Sequence, residues 1–339
     1  MKVPRSRATT MRRAVIRVRP LHRSPPDSFR SRTGRVLGRV IAWSGWTKIA
    51  AMVTSVAALA ALYFSNRALE GTRDQLKLAR DTQITDRVTK AVEQLGNQSS
   101  PAVRIGGIFA LERLSKDSPA DRPVIFEVLA TFIRMNTHFS HPRNRECVIE
   151  PDGSARPIPD DVAAALTVIG RREGDGGEHI DLSYSCLRQA HFERANLTAV
   201  DFTFSRLDGA HMDGARFRRT NMSNTHLDGA ELYDADLSHE TWDGLTMPFA
   251  RMDRARLDHT RLTNVTLCKS VWYSADLDNA VFERVNLIGA TFVAGDDSYP
   301  PARNLDRASL PAVAYDDTTR WPPGFHPPPA DKTAWPACG

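Results

Sequence analysis

The 339-residue chain has only four cysteines, Cys147, Cys186, Cys268 and Cys338. So few, spaced so widely, suggest no disulfide framework. The chain also lacks a glycine-rich phosphate loop, a metal-protease histidine pair and a redox Cys-x-x-Cys. Gly106-Gly107 sits inside a helical stripe and reads as close helix packing. His138 and His141 stand near Cys147, but no second paired motif completes a metal set. Neither a catalytic residue, a metal site nor a cofactor is expected.

Acids are nearly missing from the front. Residues 1–48 hold 13 Lys or Arg against the single acid Asp27, a net of +12. The whole chain is +5, so residues 49–339 are at −7 and the basic balance belongs to one tail. Long uncharged apolar runs are absent too, except Ile49 to Phe64, "IAAMVTSVAALAALYF". Extended back to Trp46 it approaches the roughly 20 residues that a bilayer span needs. Lys48 can snorkel, and Trp43, Trp46 and Tyr63 sit where interfacial aromatics belong. This predicts one transmembrane helix, a lipid bilayer as partner and a juxtamembrane cationic tail; direct nucleic-acid binding is not expected. The charge bias puts the N-terminus inside and the remainder outside. The apolar run starts too late for a signal peptide, and no small-residue cleavage site follows.

What is present is a beat. An apolar residue recurs at every fifth position through Leu182, Leu187, Phe192, Leu197, Phe202, Leu207, Met212, Phe217, Met222, Leu227, Leu232, Leu237, Trp242, Met247, Met252, Leu257, Leu262, Leu267, Trp272, Leu277, Phe282, Leu287 and Phe292. The chain is only 41% hydrophobic, so 23 hits in 23 places are not chance. Two residues earlier stands a small residue in most rungs, Ala in eleven from Ala190 to Ala290 and Ser, Thr or Val in nine more. A period of five suits neither helix nor strand. It becomes coherent if the chain turns a corner every five residues, with the large residue filling a narrow lumen and the small one pointing in beside it. Turn formers such as Asp208-Gly209 and Asp243-Gly244 occupy the other places. Four sides close a coil of about 20 residues, and coils stack at roughly 4.8 Å. The 23 rungs then give nearly six coils. Leu227→Asp should be ruinous, and His226→Asp next door mild.

Runs such as "ANLTAVDFTFSRLDGAHMDGARF" and "HLDGAELYDADLSHETW" resemble the pentapeptide repeat family, with its A-(D/N)-L-x-x pattern. The resemblance implies a β-solenoid, a right-handed quadrilateral β-helix, in which the central residues and preceding alanines are structural. Glu240 departs from the pattern, with Leu245 in the next small slot and Pro248 beyond. That stretch reads as a distorted corner or outward loop, since a lumenal carboxylate is costly unless protonated or paired. The front segments "QITDRVTKAVEQLG", "VRIGGIFALERL" and "ALTVIGRR" resemble actinobacterial membrane-tethered pentapeptide repeat proteins.

The organisation expected is a basic disordered tail (1–39), the transmembrane helix (40–65), a helical juxtamembrane region (66–136) and a connector (137–158). A capping helix (159–170), the repeats (178–295) and a C-terminal cap with a proline-rich tail (296–339) follow. In the helical region Ile84, Val88, Ala91, Val92 and Leu95 mark one stripe, and Ile105, Ile108, Leu111 and Leu114 another. The beat fails at Asp297 and returns out of phase at Leu305 and Leu310, after which Trp321 and Phe325 could plug the last coil.

His191, His211, His226, His239 and His259 fall beside corners, facing solvent, with no companion that nucleophilic catalysis needs. Cys186 and Cys268 adjoin central leucines in distant coils. With the lumen filled, the rod offers no polar-lined pocket. The function expected is a non-enzymatic, membrane-attached scaffold whose partner is a protein, with Arg216, Arg218, Arg219, Arg251 and Arg254 as interaction surface. The alternative implied by the resemblance is DNA mimicry toward a type II topoisomerase such as DNA gyrase. That needs a dominant acidic field, whereas residues 178–295 hold 17 acids interspersed with 12 basic groups.

Overall fold

The computed structural model describes residues 45–138, 147, 157–174, 177–295, 298–331 and 338. The basic tail, Trp43, His141, Asp297 and most of the connector lie outside the described residues. The chain divides into two units, Met1–Leu76 and Lys77–Gly339.

One helix, α1 (Gly45–Leu95), accounts for all the described structure of the first unit and continues into the second. It is long and apolar enough to cross a membrane. Met52, Val53, Val56, Leu59, Leu62 and Phe64 are all exposed on it. The helix runs without a break past residue 65, the expected end of the transmembrane segment, into the region expected to be helical. The segment after Ser65 contains no proline, and its one glycine, Gly71, is too weak a breaker to end a helix.

The second unit begins with a small helical layer. The end of α1 packs with α2 (Pro101–Asp117), α3 (Arg122–Thr137) and α4 (Asp160–Gly170) around Leu95, Ile108, Leu111, Ile125, Leu129, Ile133 and Leu166. Ser100 caps α2 by accepting from the Val103 N–H, with Pro101 behind it. Gly107 is buried where α2 meets α1. A Cβ there would lie 2.7 Å from the Ala91 carbonyl oxygen, so only glycine allows the approach. Val92, expected on the buried stripe, is exposed. Ion pairs Arg104–Asp161 and Arg122–Glu178 tie the helices together and to the segment before the first coil.

From Ile180 the chain forms a β-solenoid of about five turns over residues 180–286. Parallel pairing joins each residue to the one twenty positions on: Ile180 to Val200, Thr241 to Arg261, Leu262 to Phe282. Regular strands are short: β1 (Ile180–Asp181), β2 (Val200–Asp201), β3 (Thr241–Asp243), β4 (Arg261–Thr266), β5 (Val281–Asn286) and β6 (Val313–Ala314). Single bridges such as His191–His211 and Arg216–Asp236 continue the ladder on the other sides. Every central residue named above is buried. From Leu182 to Leu287 the corner residue two positions after each one has a left-handed backbone, whether glycine (Gly209, φ 64°) or not (Phe204, φ 58°; Arg254, φ 60°). A bond back across the corner, as from Ala190 N–H to the Leu187 carbonyl, completes a turn of type II character.

After β5 the register lengthens. Asp276 pairs with Arg303 and Thr291 with Arg320, steps of 27 and 29 residues. The last coil therefore closes only after an insertion, and Leu305 and Leu310 are buried in the returning chain. This is why the regular turns are fewer than the nearly six counted from the beat.

Candidate interaction surface

Polar residues in the lumen each find a backbone partner. Ser205, Thr220, Thr225 and Thr260 occupy small slots and donate their hydroxyls to the carbonyls of Leu182, Leu197, Phe202 and Leu237 on the coil before. Glu240 uses the same space differently. It is 7% exposed, and its carboxylate accepts from the Arg219 N–H at 2.7 Å and the Thr220 N–H at 3.2 Å. Neighbouring corners donate to a carbonyl nineteen residues on, as Gly214 does to Tyr233; Arg219 donates to this side chain. The expected outward loop does not form. Trp242 stays inward, donating Nε1–H to the Thr220 carbonyl, and Leu245 is buried in its slot. Two amide donors make the acid tolerable, while burial pushes its pKa up to about 7.

The expected arginine surface separates into two parts. Arg216, Arg218 and Arg219 are exposed together on one side and its corner. Arg216 and Arg218 have no ion-pair partner among the described residues. Arg251 and Arg254 belong to later rungs and are engaged. Arg254 grips Asp234 with two bonds of 2.7 and 2.6 Å. Arg251 lies 5.0 Å over the Tyr233 ring and 3.7 Å from Asp253. Along the side that starts at Arg216, the backbone ladder aligns Asp236, Arg256, Asp276 and Arg303, one charge reversal per coil. Ion pairs at 3.6 Å (Arg256–Asp236) and 3.7 Å (Arg303–Asp276) close the later steps.

The histidines also stack by coil. His191 and His211 lie 4.9 Å apart ring to ring, as do His239 and His259. His226 faces Asp208 and Asp228, with possible ligand atoms within 4.8 Å of one another. His226→Asp, expected to be mild, would add a third carboxylate to this group. The Asp228 pKa is already raised by burial and by Asp208.

Concave space exists, though not in the lumen. Two open clefts flank α4 where it lies on the first coils. One, of about 620 Å³, is lined by Asp160, Thr167, Gln189, His191 and His211 among others. The other, of about 590 Å³, is lined by Arg171, Arg172, Glu173, Glu193, Arg194 and Arg216 among others. Arg172 is buried, and its guanidinium donates to the carbonyls of Asn196 and Thr198, satisfying the first coil's open edge. Burial lowers its pKa to about 10. At the far end Trp321 stacks on Phe292 at 4.9 Å, and Phe325 lies against Trp321.

The cysteines overturn the sequence reading. Cys147 bonds to Cys186 and Cys268 to Cys338, leaving none free. Each bond joins a segment outside the regular repeat to a coil, across 39 and 70 residues. The coil places partners side by side that sequence spacing keeps apart. Cys147 is thereby committed to a disulfide, and the His138, His141, Cys147 metal set is not available.

The family model for pentapeptide repeats matches residues 178–214 and 210–239, with eight copies. No curated protein matches. Among solved structures, the chain is similar to HetL, a pentapeptide repeat protein involved in heterocyst differentiation regulation from the cyanobacterium Nostoc sp. strain PCC 7120. Identity is 21%, covering 42% of this chain and 64% of that one, with a TM-score of 0.32. It is similar to Rfr23 from the cyanobacterium Cyanothece 51142 at 24% identity, over 30% of this chain and 64% of that one, TM-score 0.27. QnrB1, a plasmid-mediated fluoroquinolone resistance protein, matches at 18% identity over 40% of this chain and 62% of that one, TM-score 0.25. In each case this chain spans under two thirds of the other's length. The repeat matched in sequence and the turns it builds in space agree: the solenoid of this chain is a pentapeptide repeat domain.

Proposed function

We propose that the protein is a non-enzymatic platform, anchored in a membrane by α1, that binds another protein through the arginine-bearing end of its solenoid. The observation that carries the anchoring is the uncharged stretch of α1 from Ile49 to Phe64, exposed along its whole length. A surface of this kind in water would drive association, and a bilayer is the medium that covers it. The interaction face rests on Arg216, which lines a cleft with Arg171, Arg194, Glu173 and Glu193, and on Arg218 nearby in sequence; among the described residues neither Arg216 nor Arg218 has an ion-pair partner. Such an array suits an acidic segment of a partner protein. DNA mimicry fits less well, because the ladder beginning at Arg216 reverses charge at each coil.

Two observations support one orientation. Thirteen basic residues precede the apolar stretch, which favours a cytoplasmic N-terminus. Both cysteine pairs beyond the helix are oxidised, as suits the opposite, oxidising side. Carbonate washing of membranes from expressing cells should leave the full chain in the pellet, and deletion of residues 46–64 should release it. A full-length protein found soluble refutes the anchor. Cross-linking in the native cell should trap a discrete partner that is lost in an Arg216→Glu, Arg218→Glu variant with unchanged circular dichroism. A partner retained by that variant refutes the face. Inhibition of gyrase supercoiling by micromolar protein would favour the mimicry reading instead.

A further inference from the structure

We propose that His239, Asp258 and His259 form a binding site for a first-row divalent cation of borderline softness, such as zinc. His239 and His259 hold the same corner position on successive coils, each with a left-handed backbone (φ 62° and 60°). That conformation is imposed by the repeat, and main-chain bonds from His239 to Asp258 and from His259 to Asp278 hold it. The two rings are stacked at 4.9 Å and 17°. Asp258, on the intervening side, presents one oxygen to both of them. Its Oδ2 lies 3.7 Å from His239 Nε2 and 3.8 Å from His259 Nδ1.

These separations are too long for hydrogen bonds. Donors around a tetrahedral ion with bonds of about 2.0–2.1 Å sit roughly 3.4 Å from one another. The three possible ligand atoms already lie within 4.8 Å of one another, so adjustments on the ångström scale close the set. The histidine side chains are free to make them, being 68% and 52% exposed. Two imidazoles with one carboxylate favour zinc, nickel or copper over calcium or magnesium. Three protein ligands leave a coordination position open to water or to a side chain of a docked partner.

The other candidates on the solenoid are already occupied. His191 Nδ1 meets Glu193 at 2.8 Å and His211 Nδ1 meets Glu231 at 2.7 Å, so each of these imidazoles has its own carboxylate. In the Asp208, His226, Asp228 group, Arg206 and Arg188 approach Asp208 Oδ2 at 3.1 and 3.6 Å, which places cationic groups where a metal would go. At Asp258, Arg256 faces Oδ1 at 3.4 Å and leaves Oδ2 toward the histidines.

The test is a zinc titration of the oxidised full-length chain in detergent micelles after chelator treatment, read by competition with a chromophoric indicator. The proposal expects about one equivalent of zinc bound and none of calcium. It expects at least tenfold weaker binding in His239→Ala and in His259→Ala, with thermal stability retained, and no change in His191→Ala. If either alanine variant loses its β-structure signal, Asp258→Asn, which preserves side-chain shape, carries the test with the same tenfold expectation. Absence of zinc binding by the wild-type chain overturns the proposal. So does binding that survives these substitutions or is lost equally in His191→Ala.

Discussion

Glu240 shows how one side chain can depart from the repeat without breaking it. One coil to either side, Thr220 and Thr260 hold the same slot and return a hydroxyl bond to the coil before. The carboxylate instead captures two amide N–H groups, at 2.7 and 3.2 Å. With a pKa raised from 4.5 to about 7, the folded state favours the protonated acid. Below about pH 4.5 both states are protonated and the fold keeps its full advantage. As pH rises toward 7 the unfolded chain ionises first, so stability is lost, by on the order of 3 kcal/mol. Glu240→Gln removes this titration. The wild type should therefore lose stability relative to the variant between pH 5 and 8 in urea denaturation, whatever constant offset the amide brings; parallel curves would show that Glu240 does not titrate there. Leu227→Asp belongs to the same scale. Leu227 is 1% exposed with no amide donors arranged for it, and the variant should fail to reach a cooperative thermal transition.

At the scale of elements, the two ends of the solenoid decide whether the stack is a finite domain. A bare coil edge is a template for further strands. The first coil is covered by α4 and by Arg172, whose guanidinium occupies carbonyls that a preceding coil would otherwise satisfy. The last is covered by Trp321 on Phe292, flanked by Tyr315 and Phe325. Trp321 is only partly buried, so Trp321→Ala should cost on the order of 2 kcal/mol, about half the figure for a fully buried tryptophan. Its more telling effect is expected in light scattering, as self-association through the uncovered coil. A variant that is less stable yet monomeric would mean that the Cys268–Cys338 clasp protects the end by itself.

For the molecule as a whole, the proposed arrangement across a membrane would govern which partners can be reached. On the proposed anchoring, the charge bias and the two cysteine pairs would place the solenoid outside. Protease added to intact spheroplasts should digest the solenoid, and a membrane-impermeant maleimide should label it only after reduction. Protection from the protease would place the repeats in the cytoplasm and turn attention to partners there.

The lumen was legible because a period of five has one physical solution, and 23 unbroken apolar positions leave no other way to bury them. Helices with an apolar stripe and the cap α4 are legible for the same reason, since burial writes itself as periodicity; the uncharged run is legible from composition alone. What runs between coils could not. A twenty-residue step brings Arg254 to Asp234, His239 to His259 and Asp228 to Asp208, though no local pattern marks those pairs. The disulfides are not legible in sequence because their partners meet through segments that lie outside the beat. Glu240 stands out in sequence as an exception but not as a paired one, since its donors are main-chain groups of the coil before, which carry no signature in side-chain order. The sequence by itself determined what points inward, because exclusion from water depends on residue type. Only the tertiary structure decided which outward groups meet, because that depends on stacking distances between residues far apart in the chain.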